Sequence, residues 1–280
     1  MNTSQLQWAL PRLERYIEWD LANRDVKGNG LLEWHRGTES GLDNSPVFDH
    51  GGELASTDFS VYAALEMSLL ARLHSALGNT SGASYWHAKA NRTRDKIHAS
   101  LWDERDQFYY YRQQAGDGDF VRVLTVSGFA PLLLDGMPAD RVRALVKHMQ
   151  DPNEFNTPAP LPTVAVKEAS YSTNMWRGPA WTNTNWFTIV GLRRYQHLVP
   201  EAGDLADTLQ QQTVGMVAKW YEQFGTTFEF YDSADKTPPT TLERKGSRNS
   251  GGVRDYHWTA ANTFWMLYNP TGTLPRMILE

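Results

Sequence analysis

Apolar residues recur at helical spacing in segment after segment of this chain, and the segments come in pairs. Leu6, Leu10, Leu13, Ile17 and Leu21 share one face of a helix predicted over Gln5 to Arg24, which Gly28 and Gly30 stop. Tyr62, Leu65, Leu69, Leu73 and Leu77 repeat the spacing from Thr57 to Leu77, and Gly78-Asn79 ends that run. Ser84 to Leu101 reads as its partner. Thr125 to Leu134 and Ala139 to Met149 form two shorter helices around Gly136-Met137-Pro138. Asn183 to Leu198 pairs with Gly203 to Tyr221, and Tyr256 to Tyr268 is the last helix. Only Phe108-Tyr109-Tyr110-Tyr111 reads as a strand, and a Pro-rich loop runs from Pro152 to Pro162. A helix with one apolar stripe must bury it on a neighbour. Helix–turn–helix without βαβ alternation therefore predicts an all-α fold of stacked hairpins. No fixed-period repeat argues for a solenoid, and no linker divides the chain, so residues 1–280 read as one domain.

Composition excludes several functions. Hydrophobic residues at 41% and charged residues at 21% supply a core and rule out gross disorder. The net charge of -5 leaves no basic footprint for nucleic acid. No apolar run reaches the roughly eighteen residues of a membrane span. Met1-Asn2-Thr3-Ser4-Gln5 has neither a basic nor an apolar signal region, so a cytoplasmic location is expected. The absence of cysteine excludes disulfides, thiolate metal sites and a Cys nucleophile. The eight histidines form no zinc motif, and no glycine loop would cradle a phosphate; neither metal nor cofactor is expected. Asp25-Val26-Lys27-Gly28-Asn29-Gly30 is similar to a calcium loop, but Lys27 brings a positive charge to a ligand position, so it reads as a turn. Eleven Trp and twelve Tyr fit either a large aromatic core or a carbohydrate cleft.

Four loops concentrate chemistry. Trp34 opens a stretch ending in Glu39-Ser40-Gly41-Leu42-Asp43-Asn44-Ser45-Pro46, where Asp43 is either a proton donor or one side of an Asx-turn. Asn174 to Trp186 offers Trp176, Arg177, Trp181, Asn185 and Trp186 at a helix start; Arg177 suits a carboxylate or vicinal hydroxyls, while Pro179 also fits a helix's first turn. Glu229-Phe230-Tyr231-Asp232 sets a carboxylate among aromatics, or is simply a short strand. His257-Trp258-Thr259-Ala260-Ala261 opens the final helix.

In this order the four loops, spanning nearly the whole chain, resemble glycoside hydrolase family 63 and its trehalase-containing clan of (α/α)6 barrels. The resemblance implies a barrel of six helical hairpins with the active site in the loops at one end. It implies inverting hydrolysis of an α-glycosidic bond in a small gluco- or manno-configured substrate or an oligosaccharide, with Asp43 as acid and Glu229 as base. Trp34, Trp176, Arg177, Trp181, Trp186, Tyr231 and Trp258 would contact sugar. Asn44 and Asn185 would bind hydroxyls or hold the carboxyl groups.

The chemistry has its own logic. An inverting site needs an acid at the leaving oxygen and a base for water on the opposite face, with the carboxyls roughly 6.5–9.5 Å apart. Asp43 and Glu229 lie 186 positions apart, so only the fold can bring them together. The acid must hold a proton, which a neighbouring Trp34 would encourage. Glu222 is the alternative base. Arg244-Lys245-Gly246-Ser247-Arg248 reads as a solvated lid or as a receptor for an anionic aglycone. About eight helices are visible where the family has twelve, so the barrel is expected to be incomplete at its N-terminal side. The alternative function is a non-catalytic sugar-binding or assembly module. Its exposed Leu6-Leu10-Leu13-Ile17 or Tyr62-Leu65-Leu69 face would then be covered by self-association, by a complementing N-terminal segment or by the Pro152–Pro162 loop.

Overall fold

The structure is a computed structural model and describes residues 3–247 and 250–269. Its long helices are α1 (Thr3–Arg24), α3 (Thr57–Ala76), α4 (Thr80–Ser100), α5 (Ala139–Gln150), α6 (Thr182–Tyr195), α7 (Pro200–Phe224) and α8 (His257–Tyr268). A single turn, α2 (Gly37–Ser40), lies in the loop before α3, and a 3₁₀ helix spans Val126–Leu133. The predicted helix pairs are all present, with ends shifted by a few residues. Asn79 explains one shift: its side chain accepts from the Gly82 amide and caps α4 four residues before the apolar run begins. Pro200 at the start of α7 explains another, because proline suits the first turn of a helix.

Helices α3 and α4 form one hairpin and α6 and α7 another, with the 3₁₀ helix packed between α3 and α6. Helix α8 closes on α6 and α7, and α5 backs onto α7. The main core lies between these layers, around Phe108, Phe129, Phe155, Leu132 and Ile189, all nearly or fully buried. A second core seats Leu10 and Ile17 of α1 on Met67 and Leu70 of α3 and on Trp86 of α4. Fully burying each such side chain contributes about 1.5–3 kcal/mol. Strands are confined to the loop end. The aromatic run predicted as one strand divides into β4 (Phe108–Tyr109), paired with β3 (Trp102–Asp103), and β5 (Tyr111–Arg112). β5 joins a four-stranded sheet in the order β1 (Glu33–Trp34), β2 (Leu54–Ala55), β5, β6 (Phe120–Val121).

The expected exposed faces divide. Leu6, Leu10 and Ile17 are buried, so only Leu13 of the first set is open. Tyr62 and Leu69 on α3 are exposed, and so are Trp8, Tyr16 and Trp19 on the opposite side of α1. The Pro152–Pro162 segment does not cross to them. It is pinned to the loop end by the Val126–Thr163 and Ala165–Leu124 backbone bonds that follow it and by its own Ala159–Ser233 bond. The Asp25 carboxylate accepts from the Asn29 and Gly30 amides, and Lys27 pairs with Asp117, so this segment is built as a turn.

Glu33 is the anomaly of the fold. It is 1% exposed, and its Oε1 has no hydrogen-bond partner among the described residues. Burial pushes its carboxyl up to about 7, against the Val26 amide that favours the ion, while Glu53 and Asp25 add repulsion. A carboxyl raised in the folded state contributes stability below its unfolded pKa and loses it as pH climbs through the folded value. Stability therefore falls from about pH 4.5 to about pH 7 on this account. Glu33→Gln removes the ionisation and is expected to gain on the order of 1 kcal/mol over wild type at pH 8, with little difference at pH 4. Urea unfolding at both pH values checks this; an equal effect at both would remove Glu33 as the cause.

Candidate active site

The acid loop is held by geometry that begins at Gly37. A Cβ there would stand 2.4 Å from the Asp43 carbonyl oxygen, so only glycine lets α2 pack against the following turn. Gly41 then closes α2 in the left-handed region at φ 74. Ser40 Oγ accepts from the Leu42 amide, and Asp43 emerges half-buried. Its carboxylate meets Lys245 Nζ at 2.6 Å.

Asn44 fixes this loop to the tryptophan loop. Its Nδ2 donates to the carbonyl and Oδ1 of Asn174 at 3.2 and 3.0 Å, and its Oδ1 accepts from the Trp176 amide at 3.0 Å. Asn174 Nδ2 donates in turn to Glu243 Oε1, and the Met175 amide to the Glu243 carbonyl. Glu229 reaches the same place from the other side. Backbone bonds between Ala180 and Tyr231 hold its strand, and the Thr259 hydroxyl of α8 donates to the Phe228 carbonyl at 2.7 Å. The Glu229 carboxylate is almost fully buried. It accepts from Arg244 Nε at 2.9 Å and from the Val253 amide at 3.3 Å.

Two neighbouring cations on one turn therefore engage the two carboxylates. The hydrogen bond that Arg244 donates to Glu229 raises the basicity of Arg244, and Asp43 adds to it through space. Burial, then Glu229 and Asp43, pushes the Tyr256 hydroxyl up to about 12, so Tyr256 also senses both acids. Arg248 of this basic run lies outside the described residues.

Beside Asp43 is a small cleft lined by Ser40, Leu42, Asp58, Trp176, Asn183 and Trp258. Trp176 Nε1 and Asn183 Oδ1 have no protein partner among the described residues. Trp258 is 44% exposed, as a ring offered to a ligand should be. Trp181 lies one layer deeper: it stacks on Trp176 at 3.6 Å between centroids and donates to the Met175 carbonyl. Asp58 carries no distinctive signal in the sequence, where Ser56-Thr57-Asp58 reads only as a helix start. It is buried, accepts from Tyr111 Oη at 2.6 Å and Trp34 Nε1 at 3.1 Å, and burial holds its carboxyl above the usual range.

Several expected site residues stand elsewhere. Trp34 is not the neighbour of Asp43; its ring stacks on Phe59 at 4.0 Å and its N–H serves Asp58. Arg177 is paired with Asp49. Asn185 is fully buried, with its amide donating to the Pro160 carbonyl and Thr213. Tyr231 is fully buried too, its hydroxyl accepting from the Phe228 amide, so it braces the Glu229 strand. Trp186 faces a different cavity, one helix turn beyond Asn183. The alternative base Glu222 is exposed on α7.

Helical hairpins whose carboxylate-bearing loops gather at one end define an all-α, six-hairpin glycosidase fold. The comparisons agree. The model of the mannosylglycerate hydrolase MGH1-like glycoside hydrolase domain matches residues 2–259. The chain belongs to that family. Mannosylglycerate hydrolase of Rubrobacter radiotolerans is 30% identical over 165 residues, covering 56% of this chain and 35% of the relative. Mannosylglycerate hydrolase MGH1 of Selaginella moellendorffii is 25% identical over 313 residues, covering 90% and 58%. The chain thus spans between about a third and three fifths of these relatives' length. The structure of the GH63 mannosylglycerate hydrolase from Thermus thermophilus in complex with glucose superposes with a TM-score of 0.72 at 19% identity, covering 94% of this chain and 69% of that one.

Asn44→Ala is expected to lower unfolding stability by about 1–3 kcal/mol, because it strands the Trp176 amide and the Asn174 side chain together. Denaturant titration checks this, and a loss within about 0.5 kcal/mol, the ordinary range for a surface change, would show that the loops hold without it.

Proposed function

We propose that this chain hydrolyses an α-glycosidic bond with inversion, Asp43 acting as acid and Glu229 as base. One observation carries the reading: a single turn, Arg244-Lys245, ion-pairs with both carboxylates although they are 186 positions apart in sequence. Convergent carboxylates beside a Trp-lined cleft fit glycoside cleavage. Asp43 gives its proton to the leaving oxygen as the bond from the anomeric carbon breaks. A water attacks from the opposite face and forms the new C–O bond while Glu229 takes its proton. Trp176 and Trp258 would stack on the sugar. Asp58 and Asn183 would accept its hydroxyls.

Asp43→Asn and Glu229→Gln are each expected to lower kcat by at least about a hundredfold while the fold is kept, since neither amide can move the proton. Anomer-resolved NMR of wild type on α-linked manno- and glucosides should show the β-anomer first. Early α-anomer, or near-full turnover in Asp43→Asn, would refute the assignment. Sugar binding without turnover in wild type would instead establish the non-catalytic reading, which the exposed Trp8, Tyr16 and Trp19 of α1 favour.

The substrate class follows from Lys245. An ammonium beside the acid suits a leaving group that carries its own carboxylate, as mannosylglycerate does, and Lys245 would pass from Asp43 to that group as the substrate enters. Lys245→Met is expected to raise KM for mannosylglycerate about tenfold, the worth of one charge-assisted hydrogen bond, and to leave neutral aryl mannosides little changed. Parallel steady-state kinetics on the two substrates decide it; an equal change in both would place Lys245 outside aglycone recognition.

A further inference from the structure

A second cavity meets the cleft beside Asp43 at Leu133 and Phe187 and runs from there away from the carboxylates. Asp43, Asp58 and Asn183 lie at or before the N-terminal ends of α3 and α6. The cavity is instead lined by later turns of those helices, from Leu65 to Ser75 and from Trp186 to Arg194, together with α4 and the end of the 3₁₀ helix. It therefore opens toward the opposite end of the hairpins. Its volume is about 580 Å³, within the range of small-molecule sites.

A short inner element creates it. Helix α3 has 20 residues and rises about 30 Å, whereas the 3₁₀ helix beside it has 8 residues and rises about 16 Å. After Leu133 the chain turns outward, with Leu134 extended and Gly136 at φ 81. Among the described residues, no inner helix fills the space between α3 and α6 below Leu133.

What lines the gap has a definite chemistry. Leu65, Phe187 and Val190 form an apolar wall. Arg72, Arg94 and Arg194 line it against a single carboxylate, Asp135. Arg194 pairs with Asp135, and Arg94 with Asp95 and Asn91, so these guanidiniums are held in place. Two N–H groups remain without partners among the described residues although both are shielded from solvent: Trp186 Nε1 and Arg194 Nε. Buried donors are normally satisfied, so two orphans in the residues lining one cavity point to an acceptor that arrives from outside.

The geometry points to a binding site for an amphipathic organic anion, a carboxylate head on an apolar body, at the mouth opposite the carboxylate pair. The head accepts from Arg194 and Arg94; the body lies on Leu65, Phe187 and Val190. The site uses none of the side chains to which the proposed hydrolysis assigns a role, although Leu133 and Phe187 line both this cavity and the cleft beside Asp43.

Decanoate below its micellar concentration is the probe and decanol its neutral control, both by isothermal titration calorimetry on the purified chain. Decanoate is expected to bind one to one, at least about tenfold more tightly than decanol, and to raise Tm as any native-state ligand does. Arg194→Met should bring decanoate down to the affinity of decanol; if that variant does not fold, Arg94→Met carries the same test with a smaller loss. Ser68→Trp, which fills the cavity from a half-buried position on α3, should abolish binding of both while the protein stays folded. No decanoate binding, equal affinity for decanoate and decanol, or undiminished binding in Ser68→Trp would overturn the proposal. So would a doubled mass in light scattering with the cavity closed to decanoate, which would assign this mouth to a second copy of the chain.

Discussion

Everything at the loop end depends on one asparagine. Asn44 follows Asp43 directly, and its single amide engages the carbonyl and side chain of Asn174 and the amide of Trp176. From Asn174 the network passes to Glu243, and Arg244, the next residue, holds Glu229. Asp43 and Glu229 are therefore linked through hydrogen bonds and two peptide steps. Each bond contributes only about 0.5–1.5 kcal/mol net. Their value lies in direction, because each fixes an orientation that packing alone leaves free.

The helices supply the frame, and most of it was legible in sequence. A 3.6-residue apolar period survives any tertiary arrangement, so Leu65, Leu69 and Leu73, or Val142, Leu145 and Val146, mark their helices without reference to what covers them. Helix ends were less legible, because caps such as Asn79 are polar and lie outside the apolar pattern. The paired carboxylates were legible because Ser40-Gly41-Leu42-Asp43-Asn44 and Glu229-Phe230-Tyr231 each join a turn signal to a carboxylate. What the sequence hid was partnership. Trp34 and Asp43 are nine positions apart, yet Trp34 belongs to Asp58; Arg177 looks like a substrate clamp, yet Asp49 occupies it. Arg244 and Lys245 read as a solvated run because their partners come from residues 15 and 202 positions away. Long-range ion pairing leaves no local periodicity to detect.

Aromatic residues divide by depth. Trp181, Tyr231 and Phe230 are all but fully buried and make the wall on which the site is built. Trp176 shares their burial but keeps an N–H without a partner, and Trp258 keeps nearly half its surface. Inside a core an unmade indole hydrogen bond is pure cost, on the order of 1–3 kcal/mol. Beside a cleft it is a donor kept ready. Asn183 and Asn185 differ by place: both side-chain oxygens are unmatched among the described residues, but only Asn183 lines the cleft, while the Asn185 amide donates to Pro160 and Thr213.

The two ends of the helical stack accordingly solve different physical problems. At the loop end, carboxylates are drawn out of water and stabilised by guanidinium, ammonium and backbone N–H groups. The acids that lack such cationic partners, Glu33 and Asp58, have their carboxyls shifted upward by burial. At the other end the charges are reversed: guanidiniums ring an apolar gap left where the 3₁₀ helix stops short of α3 and α6. A buried donor without an acceptor and a buried carboxyl oxygen without a donor, as at Glu33 Oε1, are the same kind of imbalance with opposite sign. Nearby side chains that could have relieved both do not. Lys27, beside Glu33 in the turn, is turned to Asp117, and Asp135, beside Arg194, leaves Nε unmatched. Unsatisfied polar groups thus occur among the linings of both cavities, beside an interior filled mostly with aliphatic and aromatic side chains. In a molecule whose net stability is a small difference of large terms, groups left unsatisfied where packing alone would favour apolar replacements are where binding is to be sought.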